Sequence, residues 1–393
     1  MRRQLDYVCL QPTREGQASF AHVYEIVAGL RRRGWDVRLV EPRLPRPGRL
    51  DGLRRALAAT TTQLAFFWRC RFRPAPFVYV RSHFLALPTA LLARAAGSIV
   101  IQEVNGAPGD AYDAWPALRR LHRLVTFSGR AQLRLADGII AVTPGLAEYV
   151  ARYTSPPGGC HVIGNGADVE RFKPIPRDTN TKMGRYVAFV GALASWQGID
   201  VALAAVGSDA WPPGVGLVIV GDGRERDAVV AAASKDTRIR WLGTVPYAES
   251  AVIVARSVAS LVPKAQGSSS RFGLSPLKLY EGMAAGVPVI VSDVGGLGDV
   301  VTAHECGIVV PAGDADALAA AVARLDADPA SAAAMGTRGR AAAVAQYSWD
   351  ARAGQTEQVI TQVARATAPR RARRGDRATA TKESEDDGLR RDR

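Results

Sequence analysis

The sequence predicts an α/β protein made of two doubly wound, Rossmann-like halves facing each other. Three observations carry this. Short apolar runs recur along the chain, each closed by glycine or a turn. Stretches of helical apolar spacing separate them, which demands crossover connections and therefore parallel sheets. The series also starts afresh after a polar, proline-containing segment at residues 174–185, so residues 1–175 and 186–345 read as two domains joined at 176–185. A chain of 393 residues has room for two domains of about 150–200 residues each.

In the first half, Asp6–Leu10 is an apolar strand, followed by a polar loop at Gly16 and a helical pattern from Ala18 to Leu30. Asp36–Val40 alternates like a second strand, and no G-x-G-x-x-G accompanies this opening, which argues against a dinucleotide. Leu53 to Arg73 mixes Leu57, Leu64, Phe66, Phe67 and Trp68 with Arg54, Arg55, Arg69 and Arg71. That composition suits a helix lying on a membrane surface; it equally suits a helix packed on the sheet with solvated arginines. Pro76–Val80 and Ser98–Ile101 read as buried strands. The second runs into Gln102–Gly106, at the strand end where α/β proteins place ligand contacts. Trp115–Leu135 is a basic helical stretch with no acid, Gly138–Val142 is a strand, and Thr143-Pro144 opens a capped helix. Val162–Asp168 is the last strand and turn of this half.

The second half holds five expected strands: Tyr186–Val190, Leu217–Val220, Ile239–Leu242, Ser260–Val262 and Val289–Val291. Its most informative stretch is Arg271–Leu297. Ser275 suits an N-cap and Pro276 a first helical position, while Gly286 and Pro288 end the helix. Lys278 then falls in the first turn, where the helix dipole disfavours a cation. An anion such as phosphate bound at that end would account for it. Glu281 lies three residues on, on the same face, and a Gly295-Gly296 turn follows. The spacing fits an anion site, and it also fits an ordinary helix with an exposed ion pair. Residues 346–365 form a final helix, and 366–393 have too few core formers to fold.

Composition narrows the function. Hydrophobic content of 47% and charged content of 22% are globular values. The first residues lack the apolar core of a signal peptide, and no apolar run is long enough to span a bilayer. Cys9, Cys70, Cys160 and Cys306 are scattered, with no pair at metal-ligand or redox spacing. A reduced, cytoplasmic protein without structural zinc is expected. The net charge of +14 is unevenly placed: residues 1–175 hold 25 Lys/Arg against 13 Asp/Glu, residues 176–365 hold 17 against 18. The first half therefore suits an anionic partner, an acidic acceptor or an anionic membrane surface met through residues 53–73. No nucleic-acid module is recognisable, so nucleic acid is not an expected partner.

Several phrases, in order, resemble the large group of retaining GT-B glycosyltransferases that are family-4-like. They include Phe189–Asp200, Ile219–Arg226, Leu242–Pro246, Ser275–Pro288 and Ser292–Gly296 in the second half, and Gly16–His22, Ala141–Ala147 and Asn165–Pro174 in the first. The resemblance spans residues 5–360. It implies a GT-B arrangement with an interdomain cleft, a nucleotide-sugar donor (UDP-sugar before GDP-sugar) on the C-terminal domain and an acceptor, small or lipid-linked, on the N-terminal one. It implies that Glu281 takes the ribose hydroxyls, that Lys278 and the Ser275 helix end hold the diphosphate, and that Thr244 and Val245 meet the base. Gly16, Gly191, Gln197, Asp222, Gly295 and Gly296 would line the donor pocket. It further implies catalysis without a metal or other cofactor, with fixed positive charge stabilising the leaving diphosphate.

The sequence also departs from the family pattern. The upstream glutamate of a common pair is Gly273, and the frequent Arg and Lys of the first loop of the C-terminal domain correspond to Ala192 and Gln197. A histidine that touches the sugar in many relatives corresponds to Asn105, with Glu103 nearby. Lys264 is then expected to help Lys278 and Arg271 with the phosphates. His22 and Asn105 are the expected catalytic contacts besides Lys278 and Glu281, and Glu103, Asn105, Arg81 and His83 the acceptor-side set. The alternatives are a GT-B enzyme of other chemistry, an epimerase or phosphorylase, and a catalytically weak sugar-nucleotide-binding protein.

Overall fold

The computed structural model describes residues 3–13, 17–42, 51–106, 109, 112, 116–176, 183–267 and 270–369. It contains two six-stranded parallel sheets. The first is built from β1 (Gln4–Val8), β2 (Asp36–Val40), β3 (Phe77–Arg81), β4 (Ile99–Val104), β5 (Gly138–Ala141) and β6 (Cys160–Val162), in the order β2-β1-β3-β4-β5-β6. The second holds β7 (Arg185–Val190), β8 (Val215–Val220), β9 (Ile239–Trp241), β10 (Ser260–Val262), β11 (Val289–Ser292) and β12 (Gly307–Val310), in the order β12-β11-β10-β7-β8-β9. The strands are near-continuous apolar runs because helices cover both faces of each sheet. Several strand bounds differ from expectation: β1 spans Gln4–Val8, β4 runs on to Val104, β6 begins at Cys160 and β8 at Val215. β12 is a sixth strand of the second sheet, where five were expected. It pairs with β11 from Val289↔Gly307 to Ser292↔Val310.

Helix α1 (Ala18–Arg32) covers one face of the first sheet. α2 (Asp51–Phe72), α3 (Leu87–Ala95) and α4 (His122–Leu135) follow one another across the other, and α5 (Pro144–Ala151) extends that layer beside β5 and β6. Thr143 caps α5 as expected, its hydroxyl accepting from Leu146 N at 3.3 Å. The basic stretch before α4 begins as a 3-10 turn, Pro116–Leu121, and Trp115 lies outside the described residues. In the second domain α6 (Ile199–Val206), α7 (Arg226–Lys235), α8 (Tyr247–Arg256), α9 (Leu277–Ala284), α10 (Leu297–His304), α11 (Ala315–Ala327) and α12 (Pro329–Ala342) alternate with the strands.

The last helix, α13 (349–369), crosses back to the first domain. Its Trp349, Val359, Ile360 and Val363 are buried against Val23, Ile26 and Leu30 of α1, and Arg33 pairs with Asp350 at 2.7 Å. It runs past residue 365; residues 370–393 and the centre of the expected linker, 177–182, lie outside the described residues.

Each sheet has one place where the strand order reverses. In the first sheet it lies between β1 and β3, in the second between β7 and β10. Doubly wound proteins bind ligands beyond the carboxyl ends of the strands at that point. The loops at the carboxyl ends of the two sheets meet, through those after β5 and β6 in the first domain and the one after β10 in the second. Thr143 Oγ1 donates to the Phe272 carbonyl, and Asn165 N donates to Ser275 Oγ at 2.9 Å.

Candidate active site

In the second domain, the reversal point is marked by two buried lysines. Lys278 is one residue inside α9 and only 8% exposed, yet its Nζ has no hydrogen-bond partner. It sits 3.9 Å from the centre of the Phe189 ring and against Gly191 at the end of β7. Burial, with the charge of Lys264 added, pushes its ammonium well below the ordinary lysine value. Lys264, just past β10, is pushed down to about 8 by burial. Gly198 makes this junction. At φ +69 it brings the 195–197 turn onto Pro263, whose carbonyl oxygen would lie 1.5 Å from any Cβ there. Gln197 Oε1 is buried in the same turn without a partner.

Glu281 is one turn along α9 and also buried, but it does not pair with Lys278 as an exposed helix pair would. Its Oε1 accepts from Tyr247 Oη at 2.6 Å. Burial raises the carboxyl to about 7, against the opposing pull of that hydrogen bond and of Lys278. Burial and the neighbouring Glu281 push the Tyr247 hydroxyl upward, so Tyr247 remains a donor. Ser275 is not the N-cap. Pro276 holds that position in an extended conformation, and the Ser275 hydroxyl instead meets Asn165 N and, at 3.1 Å, Tyr280 Oη. Gly286, at φ +72, follows the helix as expected.

The other expected donor residues lie in loops at the carboxyl ends of the second sheet's strands. The Gly295-Gly296 turn receives Leu274 N through Gly295 O at 2.7 Å, which ties it to the loop before α9. Thr244 and Val245 lie in the loop after β9, with Val245 packed on the small core around Tyr186 and Ile253. Asp222 is exposed at the end of β8, its carboxylate accepting from Gly223 N at 2.8 Å. Arg271 is exposed and stacked over Phe272 at 4.6 Å, with no recorded contact to the buried pair. Gly273 has a physical reason to lack a side chain. Its φ is +86, and a Cβ would come within 2.8 Å of Thr143 Cβ from the first domain. Gly16 lies outside the described residues.

In the first domain, the reversal point is filled by a buried carboxylate. Glu103 is fully buried at the end of β4 and accepts from Tyr79 Oη at 2.8 Å and Tyr7 Oη at 3.1 Å. It also meets His22 Nε2 at 3.0 Å and pairs with Arg81 Nη1. Burial alone would raise this carboxyl; His22 and Arg81 outweigh it and hold Glu103 well below the usual carboxylate range. The other edge of the Arg81 guanidinium serves Asn105, whose Oδ1 accepts from Nη2 at 2.7 Å and Nε at 2.9 Å once the amide is oriented to suit. Arg81, Glu103, Asn105 and His22 thus form one cluster. His22 is only 4% exposed with both nitrogens engaged, so it is not an open contact to a substrate. His83 stands apart: it stacks on Phe84, its Nδ1 accepts from Leu85 N at 3.3 Å, and burial pushes it down to about 4. Sequence reasoning missed Tyr7, Tyr79, Asn165 and Tyr247, whose partners are 24 to 143 residues away in the chain and leave no local pattern. Among the described residues no group of three or more His, Cys, Asp or Glu is placed to hold a metal ion.

The fold matches that of sucrose-phosphate synthase from Thermosynechococcus elongatus with a TM-score of 0.74 at 21% identity, over 93% of this chain and 100% of that one. Two family descriptions match the chain: Glycosyltransferase Family 4 over residues 20–171 and Glycosyl transferases group 1 over residues 184–328. A glycogen synthase of Mycobacterium tuberculosis is 26% identical over 72% of this chain and 67% of its own length. A GDP-mannose-dependent monoacylated alpha-(1-6)-phosphatidylinositol monomannoside mannosyltransferase of Corynebacterium glutamicum is 27% identical over 67% of this chain and 71% of its own. Paired parallel domains joined through loops at the carboxyl ends of their strands, with these relatives, define a GT-B glycosyltransferase. The chain belongs to the family-4-like, group 1 glycosyltransferases.

Proposed function

We propose that this enzyme transfers a sugar, with retention, from a nucleoside diphosphate donor held at the head of α9 to an acceptor on the first domain. The observation that carries this reading is Lys278, a buried ammonium with no hydrogen-bond partner. A group so placed is costly unless an anion joins it. Lys264 just past β10 and Lys278 at the head of α9 would both face the diphosphate. Glu281, with Tyr247 behind it, would accept from the ribose hydroxyls. The backbone at Thr244-Val245 would meet the base, and the Gly295-Gly296 turn would close the pocket. UDP is the sequence-based expectation for the base; GDP is the base named for the Corynebacterium relative.

On this reading the lysines supply the positive charge that a divalent ion supplies elsewhere. Transfer assays in excess EDTA are expected to retain full rate, and NMR of the product is expected to show the donor's anomeric configuration. Loss of activity in EDTA with recovery on adding magnesium contradicts the metal-free reading, and an inverted product contradicts retention.

For the acceptor we propose a lipid-linked or anionic molecule at a membrane surface, consistent with a cytoplasmic, peripheral protein. No helix among the described residues is long and apolar enough to cross a membrane. α2 buries Ala59, Phe66 and Cys70 against the sheet, and Arg69 turns in to Asp6 at 2.7 Å. Its outer side exposes Leu57, Leu64, Phe67, Trp68 and Phe72, while Leu91 on α3 and Leu121, Leu124 and Phe127 around α4 are exposed in the same helical layer. Nine of the fifteen exposed large apolar side chains among the described residues therefore share one layer, alongside exposed Arg54, Arg71, Arg120, Arg123 and Arg130. Apolar groups ringed by arginine are what an anionic bilayer interface binds. In flotation with anionic vesicles, the protein is expected to rise with the lipid at low salt. Phe67→Ser with Trp68→Ser is expected to lower the bound fraction severalfold. Equal recovery with neutral and anionic vesicles, or none with either, sinks the proposal.

A further inference from the structure

Both ring nitrogens of His22 face oxygens that accept hydrogen bonds. Nε2 lies 3.0 Å from Glu103 Oε2, and Nδ1 lies 2.7 Å from Asn165 Oδ1. Asn165 is not free to present its NH2 group instead, because that group donates to the Ser275 carbonyl at 2.5 Å. A neutral imidazole has one donor and one acceptor; only the imidazolium has two donors. We propose that His22 is a doubly protonated positioning residue, which holds Asn165 and through it the Ser275 end of the donor helix.

The path is continuous and crosses between domains. Glu103 holds His22, His22 holds Asn165, and Asn165 takes Ser275 by two bonds, one from its backbone N–H to the hydroxyl and one from its amide to the carbonyl. Ser275 stands three residues before Lys278 and directly before the residue that caps α9. The groups around the imidazolium are Glu103 from β4, backed by Arg81 and Tyr79 from β3 and Tyr7 from β1. Asn165 approaches from the loop after β6, and the Trp349 ring from α13 stands perpendicular to the imidazole with ring centres 5.6 Å apart. Arg352 of α13 donates to the Asn165 carbonyl at 3.1 Å and fixes that loop from behind. Loss of the Nδ1 proton would put a lone pair against Asn165 Oδ1 and loosen the link. The proposal is therefore that donor affinity depends on the hydrogen bonds of a side chain that never touches the donor. It rests on the proposed donor site at α9.

The test uses the full-length enzyme with UDP-glucose and GDP-mannose as probes. Long-range 15N NMR of histidine-labelled protein is expected to show both His22 nitrogens carrying a proton toward their oxygen partners, the signal being assigned by its loss in His22→Gln. His22→Gln and, independently, Asn165→Ala are expected to weaken binding of whichever probe the wild type takes by about tenfold, the scale of one lost charged hydrogen bond. Acceptor KM is expected to stay within about twofold, a split that general destabilisation would not give. Asn165→Ala serves if His22→Gln does not fold. A neutral His22 tautomer, or unchanged donor affinity in the variants, overturns the inference. If Lys278→Met abolishes binding while the His22 and Asn165 variants do not, the donor site stands and this coupling falls. If Lys278→Met binds normally, the donor reading itself has failed.

Discussion

Lys278→Met is expected to give a protein that is more stable when empty and unable to hold a nucleotide sugar. The ammonium is buried beside Phe189 and Gly191 with no hydrogen-bond partner and a second lysine close enough to oppose its charge. Burying a cation without a partner costs stability, whereas an unbranched thioether of similar length fills the same channel without that cost. A gain of about 1–2 kcal/mol corresponds to a rise of roughly 2–8 °C in melting temperature for domains of this size. Binding should move the opposite way. Loss of a charge-assisted contact to diphosphate is expected to weaken donor affinity by about 100-fold. The pH dependence has a definite sign. The folded-state value for Lys278 is depressed, so below its ordinary value the unfolded chain binds the extra proton and stability rises with pH. Thermal unfolding at about pH 7 and pH 9 should show that slope in the wild type and a flatter one in Lys278→Met.

Glu281→Ala is expected to remove most of the donor affinity while leaving the fold intact. The carboxyl is buried, has one oxygen on Tyr247, and lies on the same helix face as Lys278. Ribose hydroxyls are donors, and an ionised carboxylate is the side chain best able to accept from two of them. A loss of about 100-fold is the scale of two charged hydrogen bonds. Its folded value of about 7 lies above the ordinary 4.5, so the empty folded protein binds the extra proton between those values. Its contribution to stability is present below about 4.5 and is lost as pH rises through about 7. Donor affinity should rise over the same window, because deprotonation produces the acceptor that the ribose needs. Calorimetric titration from about pH 6 to pH 8 checks this, and Glu281→Gln should flatten the profile. Nucleotide-sugar binding unchanged in Glu281→Ala would refute the assignment.

The helix at the head of the second-domain site was legible because its signals are local. A lysine at a helix start contradicts the dipole, and a carboxylate one turn on shares its face, so spacing alone singled out Lys278 and Glu281, which the fold buries together. Ser275 was misread for a related reason: a serine before proline looks like a cap, and only the fold reveals that Asn165, 110 residues earlier, claims its hydroxyl. The first domain was less legible. Glu103 gathers Tyr7, His22, Tyr79 and Arg81 from two other strands and a helix, and nothing in the neighbourhood of any one of them announces the others. Likewise Gly273 read as a missing glutamate, when the packing against Thr143 leaves no room for a side chain. The final helix was found in sequence, but its docking onto α1 was not, since an amphipathic pattern does not say which domain it serves.

The most direct test of the central claim is a crystal structure of the wild-type enzyme with UDP bound, or GDP if only that nucleotide binds. The account predicts the diphosphate within hydrogen-bond distance of Lys278 Nζ at the head of α9 and the ribose hydroxyls on Glu281. A nucleotide seated elsewhere, with Lys278 still unpartnered beside Phe189, would contradict it.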